Sequence, residues 1–487
     1  MDAEVAEGLD SELKFWSELE NIITAPCDTH ELIDDALRAF LAATTTAKQE
    51  FMNSEYDVAR CCYKLLDSTL FQSNQDYVRR QMLYCLLQEE EVGVLHFAAA
   101  ILLYDGRATE STFELMQKEG AFPRLVDLIR QKRDDDVGLH RLVLELAFEM
   151  SRIQRLSRDD LSTVDDAFVL YLFRLIEQLS DDADDPYHYP IIRVLLVLNE
   201  QYMCIASAPS SPNDTPMTNR VLKILSSHGP LYRTFGENLI LVLNREASLS
   251  PQLLILKLLY LLFTTPSTYE YFYTNDLNVL VDVIIRNLLD LDPGINYGGT
   301  TTAGEERNGQ RALRHTYLRV LCPLLKNTQL ARQESNYKRA EVRKLLHLLV
   351  NRSSAHFAPV DGTVIRLVIR IRQIDWIKEE GDDMDEEMER KLAEVAPDES
   401  EVAKKLLGMS IEEAGISNLS VVEMSAKVTK EKPVVPAPRR RRKKLLEESS
   451  SNGAQGNDLK VPQADGSSTV SRESGAHSPF ADDNEEA

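Results

Sequence analysis

The chain has 487 residues, a hydrophobic share of 43% and a formal net charge of -23. That length fits two or three ordinary domains or one long solenoid, with enough apolar residues for a sizeable core. So acidic a surface repels nucleic acid and anionic membrane as a whole, and contact with either would need a local basic patch.

The first sixteen residues, Met1 to Trp16, are acidic and carry no apolar signal core. No apolar run reaches the ~18 to 20 residues of a membrane span. The longest, Leu253 to Phe263, is broken by Lys257 and reads as a buried helix. From residue 10 to 380 the pattern is helix separated by short breaks. Val143, Leu146, Ala147 and Met150 stand at i, i+3, i+4 and i+7, and Phe168, Tyr171, Leu172 and Leu175 repeat that spacing. Val364 to Ile371 is the most strand-like stretch, but Arg366 and Arg370, four apart, suit a helix with one charged stripe.

A degenerate repeat runs through this region. Gly120 to Ile129 reads as the start of an armadillo unit's last helix: glycine for a sharp turn, Pro123 in the first turn, leucines toward the core. Similar apolar steps recur at Leu172 to Ile176 and Leu280 to Ile284. The interval from Leu125 to Leu172 is at the upper edge of the ~40 to 47 residues of such repeats. Units of this kind bury their apolar faces only when stacked. Two loops interrupt the array, the Pro/Ser-rich 208–216 and the Gly/Thr-rich 292–309. Residues 379–401 are strongly acidic and 447–487 are Ser/Gly/Asn-rich, a composition that cannot bury enough apolar surface to offset ordering. The expected fold class is therefore all-α, an armadillo-like helical-repeat solenoid over 1–380 with a disordered tail over 381–487.

No catalytic constellation, metal set or cofactor motif stands out. The nine histidines are scattered, and His96, His315 and His347 sit in largely apolar helical contexts that suit structural roles. There is no phosphate-binding glycine loop and no nucleophile elbow. The six cysteines form no CxxC pair and read as reduced core thiols. No enzyme activity, metal or cofactor is expected.

Three features point to protein partners. Pro433, Pro436 and Arg439 form a PxxP core with a trailing arginine, one residue later than the common spacing, followed by a basic run through Lys444. A polyproline II ridge of this kind suits an SH3 groove. The basic run also fits a nuclear localisation signal or a weak lipid contact. Secondly, Arg307 to Arg352 is rich in bases opposed only by Glu334 and Glu341. Arg314, Arg319, Lys338, Arg339, Arg343 and Lys344 are the candidate docking surface for an acidic partner. Thirdly, the strings TFGENLILVLNR (234–245), YFYTNDLNVLVDVIIRNLLDL (271–291) and Arg314 to Leu321 place polar residues in apolar helices. Asn238 and Asn244 are expected to bond neighbouring backbone, the Tyr/Phe cluster to pack a repeat end, and Asn275-Asp276 to cap a helix.

Those strings resemble the leucine-rich domain of the WISH/DIP family, the SPIN-ninety and low-dye-binding group, best over residues 190–380. The resemblance implies binding and activation of the Arp2/3 complex without a preformed filament. The product would be linear filaments that seed branched networks, in the cytoplasm at cortical actin patches during endocytosis. It implies as partners the Arp2/3 complex and SH3-domain proteins of the endocytic coat, with no nucleic acid and no stable membrane insertion. The chain departs from animal members by beginning with helices instead of an SH3 domain, and resembles the shorter fungal type. It has no recognisable actin-binding WH-two segment, and its acidic stretch contains no tryptophan, unlike WASP-type activators. An adaptor scaffold that binds SH3 proteins without touching Arp2/3 is the competing expectation.

Overall fold

The computed structural model describes residues 2–50, 52, 54–178, 188–207, 217–291, 301–332, 336–350 and 362–378, with side chains over the same ranges except 2–10, 188, 207 and 301–308. Three helices open the chain: α1 (Asp2–Thr24), α2 (His30–Glu50) and α3 (Glu55–Leu66). A pattern of short, intermediate and long helix then recurs. It runs through α4 (Thr69–Ser73), α5 (Gln75–Gln88) and α6 (Val92–Ala108), then α7 (Ser111–Lys118), α8 (Ala121–Gln131) and α9 (Val137–Ile153). It continues with α10 (Arg158–Thr163), α11 (Asp166–Gln178) and α12 (His188–Ser207), then α13 (Arg220–His228), α14 (Arg233–Arg245) and α15 (Leu249–Thr264). In the last two units a single 3-10 turn, Pro266–Thr268 or Gln329–Arg332, replaces the short helix. These units add α16 (Thr274–Asp290) with α17 (Thr301–Asn327), and α18 (Arg339–Val350) with α19 (Gly362–Arg372). No strand occurs among the described residues.

The long helices stack in chain order, α6 on α9, then α12, α15, α17 and α19. The intermediate helices form a second row in which α11, α14, α16 and α18 are successive neighbours. This is an armadillo-like helical-repeat solenoid: each helix buries its apolar face against the next unit. The sequence repeat marks equivalent places. Leu125, Val126, Leu128 and Ile129 of α8 are buried, as are Leu172, Phe173, Leu175 and Ile176 of α11 and Leu280, Val281, Val283 and Ile284 of α16. Each such side chain contributes about 1.5–3 kcal/mol when taken fully from water. The Gly120 motif therefore opens the intermediate helix of its unit, not the last, because the longer α9 follows it to make the stack. Gly120 sits at φ 70 with open space where a Cβ would project, so the left-handed backbone alone demands glycine there.

Polar residues set the breaks. The N–H of Leu139 donates to Asp136 at 2.9 Å at the start of α9, and Ser157 and Asp160 form a capping box on α10. Val143, Leu146, Ala147 and Met150 are all buried, as their spacing predicts. So is nearly all of α15: Lys257 does not interrupt its burial, because its ammonium meets the carboxylate of Glu200 on α12 at 2.5 Å with both side chains at most 1% exposed. Arg366 and Arg370 form the exposed stripe of α19. Cys61, Cys62 and Cys204 are buried thiols, and Cys27, Cys85 and Cys322 are half-buried, all unbridged. The expected tail, 381–487, lies outside the described residues.

Candidate protein-interaction surface

The first and second strings of the family resemblance become neighbouring helices. In α14, Phe235, Leu239, Ile240 and Leu243 face the core, while Glu237, Leu241 and Asn244 form an outward stripe. In α16 the outward stripe is Asn275, Val279, Arg286 and Leu289. Gly236 explains how closely the two meet. A Cβ there would lie 2.9 Å from Tyr271 Cε1 and 3.1 Å from Phe272 Cε1, so only glycine admits the aromatic pair. Tyr271 is buried and its hydroxyl donates to the Tyr232 carbonyl at 2.6 Å; burial pushes its phenol well above the usual value. At the other end Arg286 donates to the Asn244 carbonyl at 3.2 Å. The helices thus run in the same direction, and Leu241 and Val279, 47% and 52% exposed, emerge at comparable heights.

The polar positions divide. Asn238 donates to the Thr234 carbonyl at 3.0 Å, as expected. Asn244 is exposed, and it is its backbone carbonyl that is used. Asp276 accepts from the Tyr273 N–H at 3.2 Å and so caps α16. Tyr273 projects into solvent at 58% exposure with the Arg233 guanidinium 4.6 Å from its ring centre. Leu231, Leu241, Tyr273 and Val279 are the exposed large apolar residues between 230 and 280. Apolar groups exposed on adjoining elements mark a protein contact more often than a lone exposed leucine does.

The basic residues do not make one face. Arg314 and Arg319 are 8% and 7% exposed, so neither belongs to a docking surface. They lie on α17, which packs between α15 and α19, and Arg314 donates to the Leu291 carbonyl at 3.3 Å. Lys338 is paired with Asp282 of α16 at 2.8 Å, where Tyr337 also donates at 3.1 Å. Asn336 and Lys338 hold left-handed backbone, φ 46 and 49, to make that turn. Arg339 and Arg343 donate to the carbonyls of Lys378 and Ile377. Lys344 alone of the six is exposed. Pro433, Pro436 and Arg439 lie outside the described residues.

Two charged places escaped sequence reading, because their partners come from distant helices. One is the Glu200–Lys257 pair. The other is a cleft of about 180 Å³ between α3, α6 and α9, lined by Tyr63, Tyr104 and the charged Glu55, Arg107, Arg141 and Glu145. Its ions neutralise one another: Arg107 meets Glu145 at 2.8 Å, and Arg141 meets Glu55. At its rim Lys48 bridges His96 and Asp136. Burial alone would raise the Asp136 carboxyl, but hydrogen bonds from His96 and Lys48 hold it far below its usual range. Among the described residues no group of three or more His, Cys, Asp or Glu side chains is placed to hold a metal, and no helix is long and apolar enough to cross a membrane.

Comparison with known proteins gives these helices a family. Residues 184–342, from the approach to α12 into α18, match the model described as SPIN90/Ldb17, leucine-rich domain. The protein dip1 of Schizosaccharomyces pombe is 30% identical over 382 residues, covering 77% of this chain and 97% of dip1. LDB17 of Saccharomyces cerevisiae is 27% identical over 426 residues, 76% of this chain and 81% of that protein. LDB17 of Eremothecium gossypii is 26% identical over 365 residues, covering 69% and 74%. With dip1 matched across nearly its whole length, the chain belongs to the SPIN90/Ldb17 family.

Proposed function

We propose that this chain acts by binding, with no reaction of its own. It engages the Arp2/3 complex and favours its active arrangement without a preformed filament. Linear filaments then arise that seed branched networks at cytoplasmic cortical actin patches, and the segment with Pro433, Pro436 and Arg439 recruits SH3 proteins of the endocytic coat. The observation that carries the reading is the match to dip1 over 97% of its length and 77% of this chain, an extent far beyond one motif.

The energetics say where to look. Shifting a two-state machine from 1:99 to 99:1 takes about 5.5 kcal/mol of differential affinity. Exposed ion pairs give about 0–1 kcal/mol each, so scattered surface bases cannot supply it. Apolar side chains taken fully from water contribute about 1.5–3 kcal/mol each, so a few of them together can. The α14–α16 face, with Leu241 and Val279, offers such anchors on stacked, mutually buttressed helices.

The test is bulk polymerisation of pyrene-labelled actin with the full chain. Acceleration is expected only when Arp2/3 is present, without added filaments or another activator. Acceleration without Arp2/3, or none with it, overturns the reading. Leu241→Asp combined with Val279→Asp is expected to lower the Arp2/3-dependent rate at least ~10-fold while the thermal midpoint holds. An unchanged rate removes this face from the interface.

A further inference from the structure

The cleft between α3, α6 and α9 lies outside residues 184–342 and on other helices than the α14–α16 face. Its charged lining is already paired. The Arg107 guanidinium donates to Glu145 at 2.8 Å and to Glu149 at 3.3 Å, and Glu149 meets Arg152 at 2.7 Å. Arg141 pairs with Glu55 and lies 3.5 Å from Glu145. Two arginines and two glutamates line the space, and burial holds His96 below its ordinary value and so neutral at pH 7. The cleft therefore carries no net charge.

The two tyrosines of the lining are not paired. Tyr63 and Tyr104 are 8% and 7% exposed, with ring centres 5.2 Å apart. Neither hydroxyl has a hydrogen-bond partner among the described residues. Neither is sealed from solvent, so both open on the cleft that they line. Burial pushes both phenols above their ordinary value, so each stays protonated and is a donor. Polar groups on side chains this deeply buried are normally bonded, so whatever fills the cleft must accept from both.

We infer that this cleft receives a primary carboxamide, the head group of glutamine or asparagine. Charge and hydrogen-bonding capacity select that class. An ion entering a neutral cleft gives up its hydration with no spare countercharge to meet. A hydrocarbon leaves two O–H donors unpaired. A carboxamide is neutral, and its carbonyl oxygen has two lone pairs for the two hydroxyls. Its NH2 group donates to Glu55, whose carboxylate keeps acceptor sites beside Arg141. The volume agrees: a cavity of ~150 Å³ holds one benzene molecule, and about 180 Å³ is room for a glutamine side chain. The site uses none of the helices assigned to Arp2/3 contact, so either assignment can fail without the other.

Saturation-transfer NMR on the full chain tests it, with N-acetylglutamine methylamide as probe. Expected is transfer to the probe's side chain, and affinity at least ~10-fold weaker for N-acetylglutamate methylamide, which is charged at the same place. Tyr63→Phe combined with Tyr104→Phe removes only the two hydroxyls. It is expected to weaken the probe about tenfold, the worth of two ordinary hydrogen bonds, while the thermal midpoint holds. Free glutamine is the second arm: if it binds as well as the blocked probe, the amide enters from a free metabolite as from a protein, and if only the blocked probe binds, its source is a protein side chain. No transfer from any probe leaves the cleft to water and overturns the proposal. Equal affinity for the glutamate analogue overturns it too, as does an unchanged affinity or a fallen midpoint in the double variant.

Discussion

The centre of the stack and its C-terminal edge both carry charge, with opposite consequences. At the centre Glu200 and Lys257 are sealed between α12 and α15, each at most 1% exposed. At the edge Lys344, Arg366 and Arg370 stand in water, and Arg339 and Arg343 spend their donors on carbonyls. A lysine inside an apolar run is therefore no sign of a surface, and a cluster of bases in sequence is no sign of one face. What separates the two regions is the number of covering neighbours. Long helices in the middle of the array have a long helix on either side, whereas α19 is the last of the described stack.

The largest test of this contrast removes one partner from the centre. Lys257→Met leaves Glu200 buried without its ammonium and is expected to cost about 3–5 kcal/mol, seen as a lowered thermal midpoint. Pairing it with Glu200→Leu is expected to recover most of that loss; no recovery would mean that the pair does more than neutralise itself. Next in size is a pH effect at His140, fully buried on α9 with Nε2 donating to the Ile129 carbonyl at 3.0 Å. Burial lowers it from 6.5 to about 4. Between those values the unfolded chain binds the extra proton, so stability declines as pH falls through that window, by on the order of 3 kcal/mol. His140→Gln, which keeps a donor near Nε2, is expected to flatten the midpoint-against-pH curve there. A curve that keeps its slope would assign the effect to other groups.

Gly236→Ala comes third. The added methyl meets Tyr271 at 2.9 Å and is expected to destabilise by about 1–3 kcal/mol by overpacking. Tyr271→Leu in the same chain, by removing the ring, should relieve part of that penalty, and strictly additive losses would argue against the contact. The smallest effect belongs to the edge: Lys344→Ala should move the midpoint by no more than about 0.5 kcal/mol equivalent. A larger loss would place Lys344 in an ordered network and erase the contrast between centre and edge.

Much was legible beforehand. The spacing of Val143 to Met150, the apolar steps at 125, 172 and 280, and the arginine stripe of 366 and 370 all follow from the helical period, which is local. The family strings were legible too, and so was the helix through Leu253–Phe263. The Gly120 motif was placed in the wrong helix of its unit because nothing within ten residues says how long the next helix will be. Arg314 and Arg319 misled because burial depends on which helices flank α17, and α15 lies some fifty residues upstream while α19 lies some fifty downstream.

By itself, then, the sequence determined that the chain would be helical and repetitive and would turn at its capping residues, because backbone propensity, capping and apolar period act over a few residues. Only the tertiary structure decided which charges pair, which are covered and which meet water. Those outcomes depend on side chains brought together across 38 positions of chain, as Arg107 with Glu145 are, or 57, as Glu200 with Lys257 are, and on the low dielectric that stacking creates around them.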